Sequence, residues 1–126
     1  MNELSKKFVS CGAQQYKYYY PYYGRVNGKR IVLYGAGNVG KWYYTELKND
    51  SKAIIMAWID KNAEYLQEKE FLPVKGIEYL DSLQEQDYDY IIIAVFDEPI
   101  YEKIRTELTL RGISENKIIW NPTRVE

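Results

Sequence analysis

The sequence contains no histidine and a single cysteine, Cys11. Without these side chains it has no zinc site of the usual nitrogen and sulfur type, no histidine-based catalytic triad and no internal disulfide. Long apolar runs are also missing, and stretches such as residues 91–96 are far too short to span a bilayer. The polar start, residues 1–7, lacks the core of a signal peptide. We therefore expect a soluble, cytoplasmic protein without a metal site.

The charge is nearly balanced, with 17 basic and 18 acidic side chains and a formal net charge of −1. A protein that binds nucleic acid or an anionic membrane usually carries a basic excess, so neither nucleic-acid binding nor membrane insertion is expected. Hydrophobic residues make up 46% of the 126 residues. That composition is sufficient for one packed domain and is unlike that of a disordered chain.

Residues 1–29, the tyrosine-rich lead, differ from the rest because they hold six of the 14 tyrosines. Pro21, Gly24 and Asn27-Gly28 interrupt this segment, which predicts a short helix followed by an extended connector. One interpretation is a linker whose rings pack on the outside of the following domain. The other is a stacking platform for a base or sugar, or a contact for an upstream domain. Cys11 has no histidine to activate it, so an inert thiol is expected.

Residues 30–126 show the pattern of one α/β domain. Short apolar segments predict buried strands, and the segments between them predict helices, of which the clearest covers residues 38–49. The predicted strands cover residues 30–34, 53–59, 73–74, 90–95 and 117–120. Strands that are apolar throughout are typical of a parallel sheet covered by helices on both faces. We therefore predict a doubly wound, mostly parallel sheet of about five strands in the order 3-2-1-4-5.

The chemistry lies in the turn between the first predicted strand and the first predicted helix. This turn reads Gly35-Ala36-Gly37-Asn38-Val39-Gly40, the Gly-x-Gly-x-x-Gly pattern of a dinucleotide-binding turn. Gly35 allows the sharp turn, Gly37 lets a diphosphate approach the backbone, and Gly40 lets the helix pack closely on the sheet. Unpaired amides at the helix start and the positive end of the helix dipole then attract the anion. The alternative is that the glycines only make a tight turn.

Asp60 lies at the carboxyl end of the second predicted strand, 20 residues after Gly40. A dinucleotide-binding sheet places an acid there to accept hydrogen bonds from the hydroxyls of a ribose. The same carboxylate would repel a 2′-phosphate, which favours NAD over NADP, although the neighbouring Lys61 weakens that argument. In the alternative, Asp60 only caps the end of the strand.

The residues after the fourth predicted strand reach the same edge of the sheet, where ligands bind. The candidates there are Ala94, Val95, Phe96 and Asp97. Asp97 and Glu98 are suited to bind a sugar hydroxyl or to act as a base. Pro99 follows them directly, however, which is typical of an acidic cap at the start of a helix.

Two Tyr-x-x-x-Lys spacings occur, Tyr44 with Lys48 and Tyr65 with Lys69. A short-chain dehydrogenase uses this spacing because the lysine lowers the pKa of the tyrosine for proton transfer. In that family the pair follows the fourth strand, whereas both pairs here precede it. Neither pair is therefore expected to be catalytic.

The pattern of these motifs resembles the NAD(P)-binding Rossmann superfamily over most of the chain. More narrowly, it is similar to the small Rossmann-like modules attached to bacterial glycan-biosynthesis proteins. Such modules include the N-terminal domains of sugar O- and N-acyltransferases and domains fused to glycosyltransferases or methyltransferases. The matching stretches are residues 31–40, 58–62, 74–80, 88–95, 112–113 and 117–119.

In the acyltransferase relatives the module binds a nucleotide-linked sugar, so the resemblance implies that residues 35–40 and Asp60 line that site. Two departures matter. Those relatives often carry a histidine in the glycine turn, where this chain has Asn38 and Val39. Their acyltransfer chemistry lies in a separate repeat domain, so acyltransfer is not expected of this chain.

Three functions stay open from the sequence. The first is a nucleotide-binding module, for NAD, NADP or a nucleotide sugar, that is an accessory domain in cell-surface glycan biosynthesis. The second is an NAD-dependent sugar-nucleotide epimerase or dehydrogenase that uses Asp97 or Glu98. The third is a protein-interaction or sensor domain that has kept the fold and lost the ligand.

The length after the last predicted strand favours the accessory role. Almost nothing follows Trp120, where a complete dinucleotide enzyme would add a substrate domain. The chain is then expected to work beside a fused or partner glycan-biosynthesis domain, as part of a larger protein. A homo-oligomer is also compatible with the sequence.

Overall fold

The computed structural model describes residues 18–50 and 52–122. The helices and strands in chain order are β1 (Arg30–Tyr34), α1 (Asn38–Asn49), β2 (Ile54–Ile59), α2 (Ala63–Glu70), β3 (Tyr90–Ile93), α3 (Glu98–Leu110) and β4 (Ile118–Ile119). Short 3-10 segments lie at Ile77–Ser82, Glu85–Asp87 and Glu115–Lys117. Cys11 and the helix expected early in the tyrosine-rich lead fall outside the described residues. None of the helices in the described ranges has the length and apolar character needed to cross a bilayer.

The sheet is α/β in type, with four strands that all run parallel. Its central strands consist of apolar, mostly β-branched residues, and Ile31, Ile91 and Ile92 have no measurable exposure. Such strands are stable only when helices cover both faces. Tyr34, the last residue of β1, is in register with Ile59 of β2 and Ile93 of β3. The residues that follow these strands therefore meet at one edge of the sheet.

The prediction of five strands in the order 3-2-1-4-5 holds only in part, because the described residues form four strands, in the order β2-β1-β3-β4. Here β3 and β4 are the fourth and fifth predicted strands, so the predicted third strand is the one that is missing from this part of the chain. The segment expected as the third strand forms only an isolated parallel bridge between Ile59 and Lys75. Pro73 has no N–H to donate to a ladder. The side chains of Leu72 and Val74 are nevertheless buried. The apolar pattern there reflected a buried loop and not a strand.

Two buried clusters lie on opposite faces of the sheet. One contains Val39, Tyr43 and Leu47 of α1, at the helical spacing that the sequence predicted, together with residues of α2. The other contains Ile104 and Leu108 of α3. Helix α1, which connects β1 to β2, therefore covers one face of the sheet, and α3, which connects β3 to β4, covers the other. From β1 the chain adds β2 on one side, and it then returns to add β3 on the other side of β1. Open parallel sheets bind ligands at the carboxyl ends of two strands where the order changes in this way.

The described part of the tyrosine-rich lead packs into the first cluster. Tyr20, Tyr22 and Val26 are buried there beside residues of β1 and α1. Tyr20 and Tyr22 both lie edge-on to the ring of Tyr43, at centroid distances of 5.5 and 6.0 Å. The hydroxyl of Tyr22 also accepts a hydrogen bond from the side-chain amide of Asn121 (3.2 Å). The boundary that the sequence suggested between residues 29 and 30 stays a prediction.

Candidate functional site

The glycine turn is held between the carboxyl ends of the central strands. The N–H of Gly35 donates to the carbonyl of Ile59 (2.8 Å), which ties the turn to β2. Gly35 has a φ of +118°, and a Cβ added to it would lie 2.7 Å from the carbonyl oxygen of Ala94 after β3. Its own carbonyl accepts a hydrogen bond from the indole N–H of the buried Trp58 (2.7 Å). Any side chain at Gly35 would thus push β1 and β3 apart at the crevice.

Gly40 and Gly37 meet opposite surroundings. A Cβ on Gly40 would lie 2.0 Å from the carbonyl oxygen of Gly35, so only glycine lets α1 start this close to the turn. A Cβ on Gly37 would meet no atom within 4 Å. Gly37 and Asn38 are exposed, whereas Ala36 and Val39 are buried. The surface above Gly37 is therefore open and accessible to a ligand.

The start of α1 faces this open surface with unpaired backbone donors. The first intrahelical bond runs from the N–H of Lys41 to the carbonyl of Gly37 (2.9 Å). The amides of Asn38, Val39 and Gly40 precede that bond, and such amides have no partner within their own helix. The positive end of the helix dipole lies at the same place. The turn thus has the donors and the polarity that an anion requires.

Asp60 is brought to the glycine turn, as the sequence predicted from its position after β2. Its Oδ2 accepts the N–H of Ala36 (2.8 Å), and its Oδ1 accepts the N–H of Asn62 (2.7 Å). Its own N–H donates to the carbonyl of Lys75 (3.0 Å), which fixes the backbone there. A carboxylate has about four acceptor sites. Both oxygens therefore keep capacity for a ligand hydroxyl while they bind the turn.

Lys61, the other candidate after β2, reaches to the opposite face of the sheet. Its ammonium pairs with Oε2 of Glu107 on α3 (3.0 Å). The Oε1 of Glu107 and the hydroxyl of Tyr34 are both buried there. Burial, and then the carboxylates of Glu107 and Asp60, raise the pKa of Tyr34. Lys61 therefore belongs to a polar cluster with Glu107 and Tyr34 on the α3 side of the sheet.

The residues after β3 lie on the other side of the glycine turn from Asp60, at the same edge of the sheet. Ala94 is buried and donates its N–H to the carbonyl of Tyr34 (2.8 Å). The carbonyl of Val95 accepts the indole N–H of Trp120 (3.1 Å), and the ring of Phe96 is 52% exposed. Asp97 occupies the N-cap position of α3, with a proline in the first turn, but its side chain makes no cap hydrogen bond. The expectation of an acidic side-chain cap was wrong in that respect.

The first Tyr-x-x-x-Lys pair comes together on α1 without the properties of a proton-transfer pair. Lys48 lies over the ring of Tyr44, with its ammonium 5.5 Å from the centroid. The other side of Tyr44 stacks on Trp58 at a centroid distance of 4.0 Å. Burial raises the pKa of Tyr44, which is the opposite of what a catalytic tyrosine needs. This arrangement packs α1 on β2.

Two features of the site have no clear signal in the sequence. The indole of Trp58 satisfies the carbonyl of Gly35, although Trp58 reads only as an apolar strand residue. Tyr18 of the lead reaches Phe96, with ring centroids 6.5 Å apart. Both contacts join residues far apart in the chain, so no local pattern predicts them. Within the described ranges, no three histidine, cysteine, aspartate or glutamate side chains are grouped as a metal site would require.

The fold and the candidate site together define a parallel α/β domain. Its glycine turn follows β1, the strand on whose two sides the chain places β2 and β3. The comparison with protein families gives a more particular assignment. The family model described as C2185-like, N-terminal, matches residues 27–119. Because that match covers well over half of the chain, the protein belongs to this family. No curated protein and no solved structure shows a significant match to the chain.

Proposed function

We propose that this domain is a Rossmann-like nucleotide-binding module that holds the diphosphate of NAD(P) or of a nucleotide sugar. The open surface over Gly37 carries this proposal, since it is bordered by unpaired amides and by Asp60. A diphosphate there accepts hydrogen bonds from the amides of Asn38, Val39 and Gly40 and is stabilised by the dipole of α1. A Cβ added to Gly37 would meet no atom within 4 Å, so the space directly above this backbone position is open.

Asp60 would hold a ribose beside that diphosphate. Its oxygens accept the amides of Ala36 and Asn62, and their remaining lone pairs suit hydroxyl donors. A 2′-phosphate would bring negative charge close to this carboxylate. The one cation beside it in sequence, Lys61, pairs with Glu107. These charges favour NAD over NADP.

The place of the module in cell-surface glycan biosynthesis rests on its resemblance to modules attached to sugar acyltransferases, glycosyltransferases and methyltransferases. We propose that it is an accessory domain that binds a nucleotide-linked ligand beside a fused or partner domain. Asp97 and Glu98 lie at the ligand-binding edge of the sheet, at the start of α3. In this role they contact ligand hydroxyls.

A thermal-unfolding screen tests the proposal. NAD, NADP, UDP-glucose and adenosine are added separately, and the transition temperature is recorded. A ligand at ten times its dissociation constant raises the free energy of unfolding by about 1.4 kcal/mol. For a domain of this size that corresponds to about 5 °C. Adenosine, which lacks phosphate, is expected to give no shift.

Gly37→Val provides the matched variant. The new side chain points into open space, and the φ of Gly37 is −79°, so the unliganded variant should unfold at the wild-type temperature. The valine would occupy the position of the diphosphate, so ligand-induced shifts should disappear. If no nucleotide shifts the wild type, or if Gly37→Val responds as the wild type does, the proposal is wrong.

A further inference from the structure

An exposed aromatic ring lies beside the glycine turn without a packing role that explains it. Phe96 is 52% exposed and lies two residues after Ala94, whose carbonyl oxygen would be 2.7 Å from a Cβ added to Gly35. Other large apolar residues are also exposed, such as Phe71 at 72%. Phe71, however, directly follows the last residue of α2, about 12 Å of helix away from the edge where α2 begins. Phe96 is an exposed ring at the edge of the sheet that carries the glycine turn.

The tyrosine-rich lead fixes the orientation of this ring. Tyr18 packs against the first buried cluster, which contains Ala36, Val39 and Ala94 among other residues. From there it meets Phe96 edge-on, at an interplanar angle of 75°. Edge-to-face contacts of this kind hold aromatic rings in a preferred orientation. One side of Phe96 is thus in contact with Tyr18, and the exposed part of its surface remains available.

Sheet topology sets the distance between Phe96 and Asp60. Since β1 lies between β2 and β3, the glycine turn lies between the ends that carry Asp60 and Phe96. Neighbouring strands are about 4.8 Å apart, so these two ends are separated by about 10 Å. A ligand with one ribose at Asp60 and its diphosphate over Gly37 reaches Phe96 only if a further ring follows the diphosphate.

We propose that Phe96, held by Tyr18 of the lead, stacks on the ring that lies beyond the diphosphate of the ligand. This inference rests on the proposed nucleotide-binding function. It makes the lead part of the ligand site and makes Phe96 a specificity-determining residue. The site then favours diphosphates that carry a ring at both ends over simple nucleoside diphosphates. Tyr18 is a positioning residue, because it acts through Phe96.

Calorimetric titration with two matched ligand pairs tests the inference: NAD with ADP, and UDP-glucose with UDP. The wild type should bind the longer member of at least one pair about tenfold more tightly, the effect of one stacked ring at the low end of its usual range. Phe96→Ala should remove that difference and leave the affinity for the shorter member unchanged. Phe96→Leu, which keeps apolar bulk without an aromatic face, should remove most of it.

Phe71→Ala is the matched control, since it removes an equally large exposed ring away from the crevice. It should keep the wild-type preference. Tyr18→Leu should reduce the preference as Phe96→Ala does, whereas Tyr18→Phe, which retains the ring, should preserve it.

The outcomes separate this inference from the proposed function. If no probe binds the wild type, both are wrong. If the shorter members bind but the longer ones bind no better, the inference alone is wrong. The same holds if Phe96→Ala weakens both members equally, or if Tyr18→Phe loses the preference. Unfolding midpoints of Phe96→Ala and Tyr18→Phe should match the wild type within experimental error, because Phe96 is half-exposed and Tyr18→Phe is conservative.

Discussion

The three glycines of the Gly-x-Gly-x-x-Gly turn differ in whether the surrounding structure has room for a side chain. Gly35 and Gly40 are required by the fold, because added Cβ atoms would lie 2.7 Å from Ala94 and 2.0 Å from Gly35 itself. Gly37 has open space around it and a φ of −79° that any residue adopts. A glycine that the fold does not need is most simply explained by a ligand that comes close to its backbone.

This contrast gives a prediction at the scale of single residues. Gly40→Ala should lower the free energy of unfolding by about 3 kcal/mol or more, the upper range for overpacking, because the rigid backbone of Gly35 cannot move aside. Gly37→Ala, the same change three residues earlier, should alter it by less than about 0.5 kcal/mol. Urea denaturation followed by tryptophan fluorescence measures both. Equal losses in the two variants would contradict the assignment of separate roles.

Helix α3 begins directly after an acidic residue, Asp97, whose side chain makes no capping hydrogen bond. Asp97 is at the N-cap position, and the carbonyl of Asp97 accepts the N–H of Tyr101 (3.0 Å), but the carboxylate bonds to no helix amide. Elsewhere, Asp87, the third residue of the 3-10 segment Glu85–Asp87, does bond to the start of its segment, since its Oδ2 accepts the N–H of the N-cap residue Gln84 (2.8 Å). The carboxylate of Asp97 is thus not committed to stabilising its helix, and it remains available at the crevice.

We therefore predict that Asp97→Ala has a smaller effect on stability than a typical N-cap substitution. Loss of a capping side chain usually costs about 1 kcal/mol. At Asp97 only the interaction of its charge with the helix dipole is lost, which corresponds to about 0.5 kcal/mol or less. Asp87→Ala is the comparison variant and should lose more, because it removes a carboxylate that does bond to a backbone N–H at the start of its segment. An equal or larger loss at Asp97 would show that its carboxylate does cap α3 in solution.

Elements with a strong local pattern could be predicted from the sequence. Helix α1 has the predicted bounds, Asn38–Asn49, because Val39, Tyr43 and Leu47 recur at the helical period and face the core. The strand expected at residues 73–74 failed, because burial of Leu72 and Val74 gives the same signal in a loop as in a ladder. A short apolar segment indicates that its side chains are buried. It does not indicate whether its backbone pairs with a neighbouring strand, because that pairing depends on the rest of the chain.

The same distinction holds in the candidate site. The position of Asp60 beside the turn followed from two strands ending at one edge, and its bond to Ala36 agrees with that placement. The pairing of Lys61 with Glu107 could not be foreseen, because it depends on which face α3 covers. The indole of Trp58 likewise reaches Gly35 only in the folded sheet. Spacing thus predicted that Asp60 lies beside the glycine turn, and tertiary packing decided which other side chains lie near it.

At the scale of the whole molecule, the tyrosines are part of what holds the domain together. Tyr20, Tyr22 and Tyr34 are at most 5% exposed, and Tyr20 and Tyr22 connect the lead to α1. Burial raises the pKa of each of these phenols, because a phenolate would lose its hydration inside the protein. For Tyr22, where burial outweighs the hydrogen bond from Asn121, the pKa rises from 10.0 to about 12. The stability of the whole domain is therefore linked to alkaline pH.

The direction in which stability changes with pH follows from the pKa of Tyr22 in the unfolded chain, 10.0, and in the folded chain, about 12. Below pH 10.0 both the folded and the unfolded chain keep the phenolic proton, so the stabilisation is fully present. Between 10.0 and about 12 the unfolded chain loses the proton first, and the free energy of unfolding falls as the pH rises. One phenol contributes at most about 1.4 kcal/mol per pH unit to this fall.

Denaturation in urea at pH 8.0 and at pH 11.0 measures the effect, with Tyr22→Phe as the matched variant. At pH 8.0 the variant should be about 1 kcal/mol less stable than the wild type, because it loses the hydrogen bond from Asn121. At pH 11.0 this deficit should disappear or reverse, since phenylalanine has no proton to lose on unfolding and the wild type has lost about 1 kcal/mol through Tyr22. Other groups that titrate in this range act on both proteins and cancel in the comparison. A deficit that stays constant between the two pH values would mean that Tyr22 is accessible to water, and that the lead does not pack on α1 in solution.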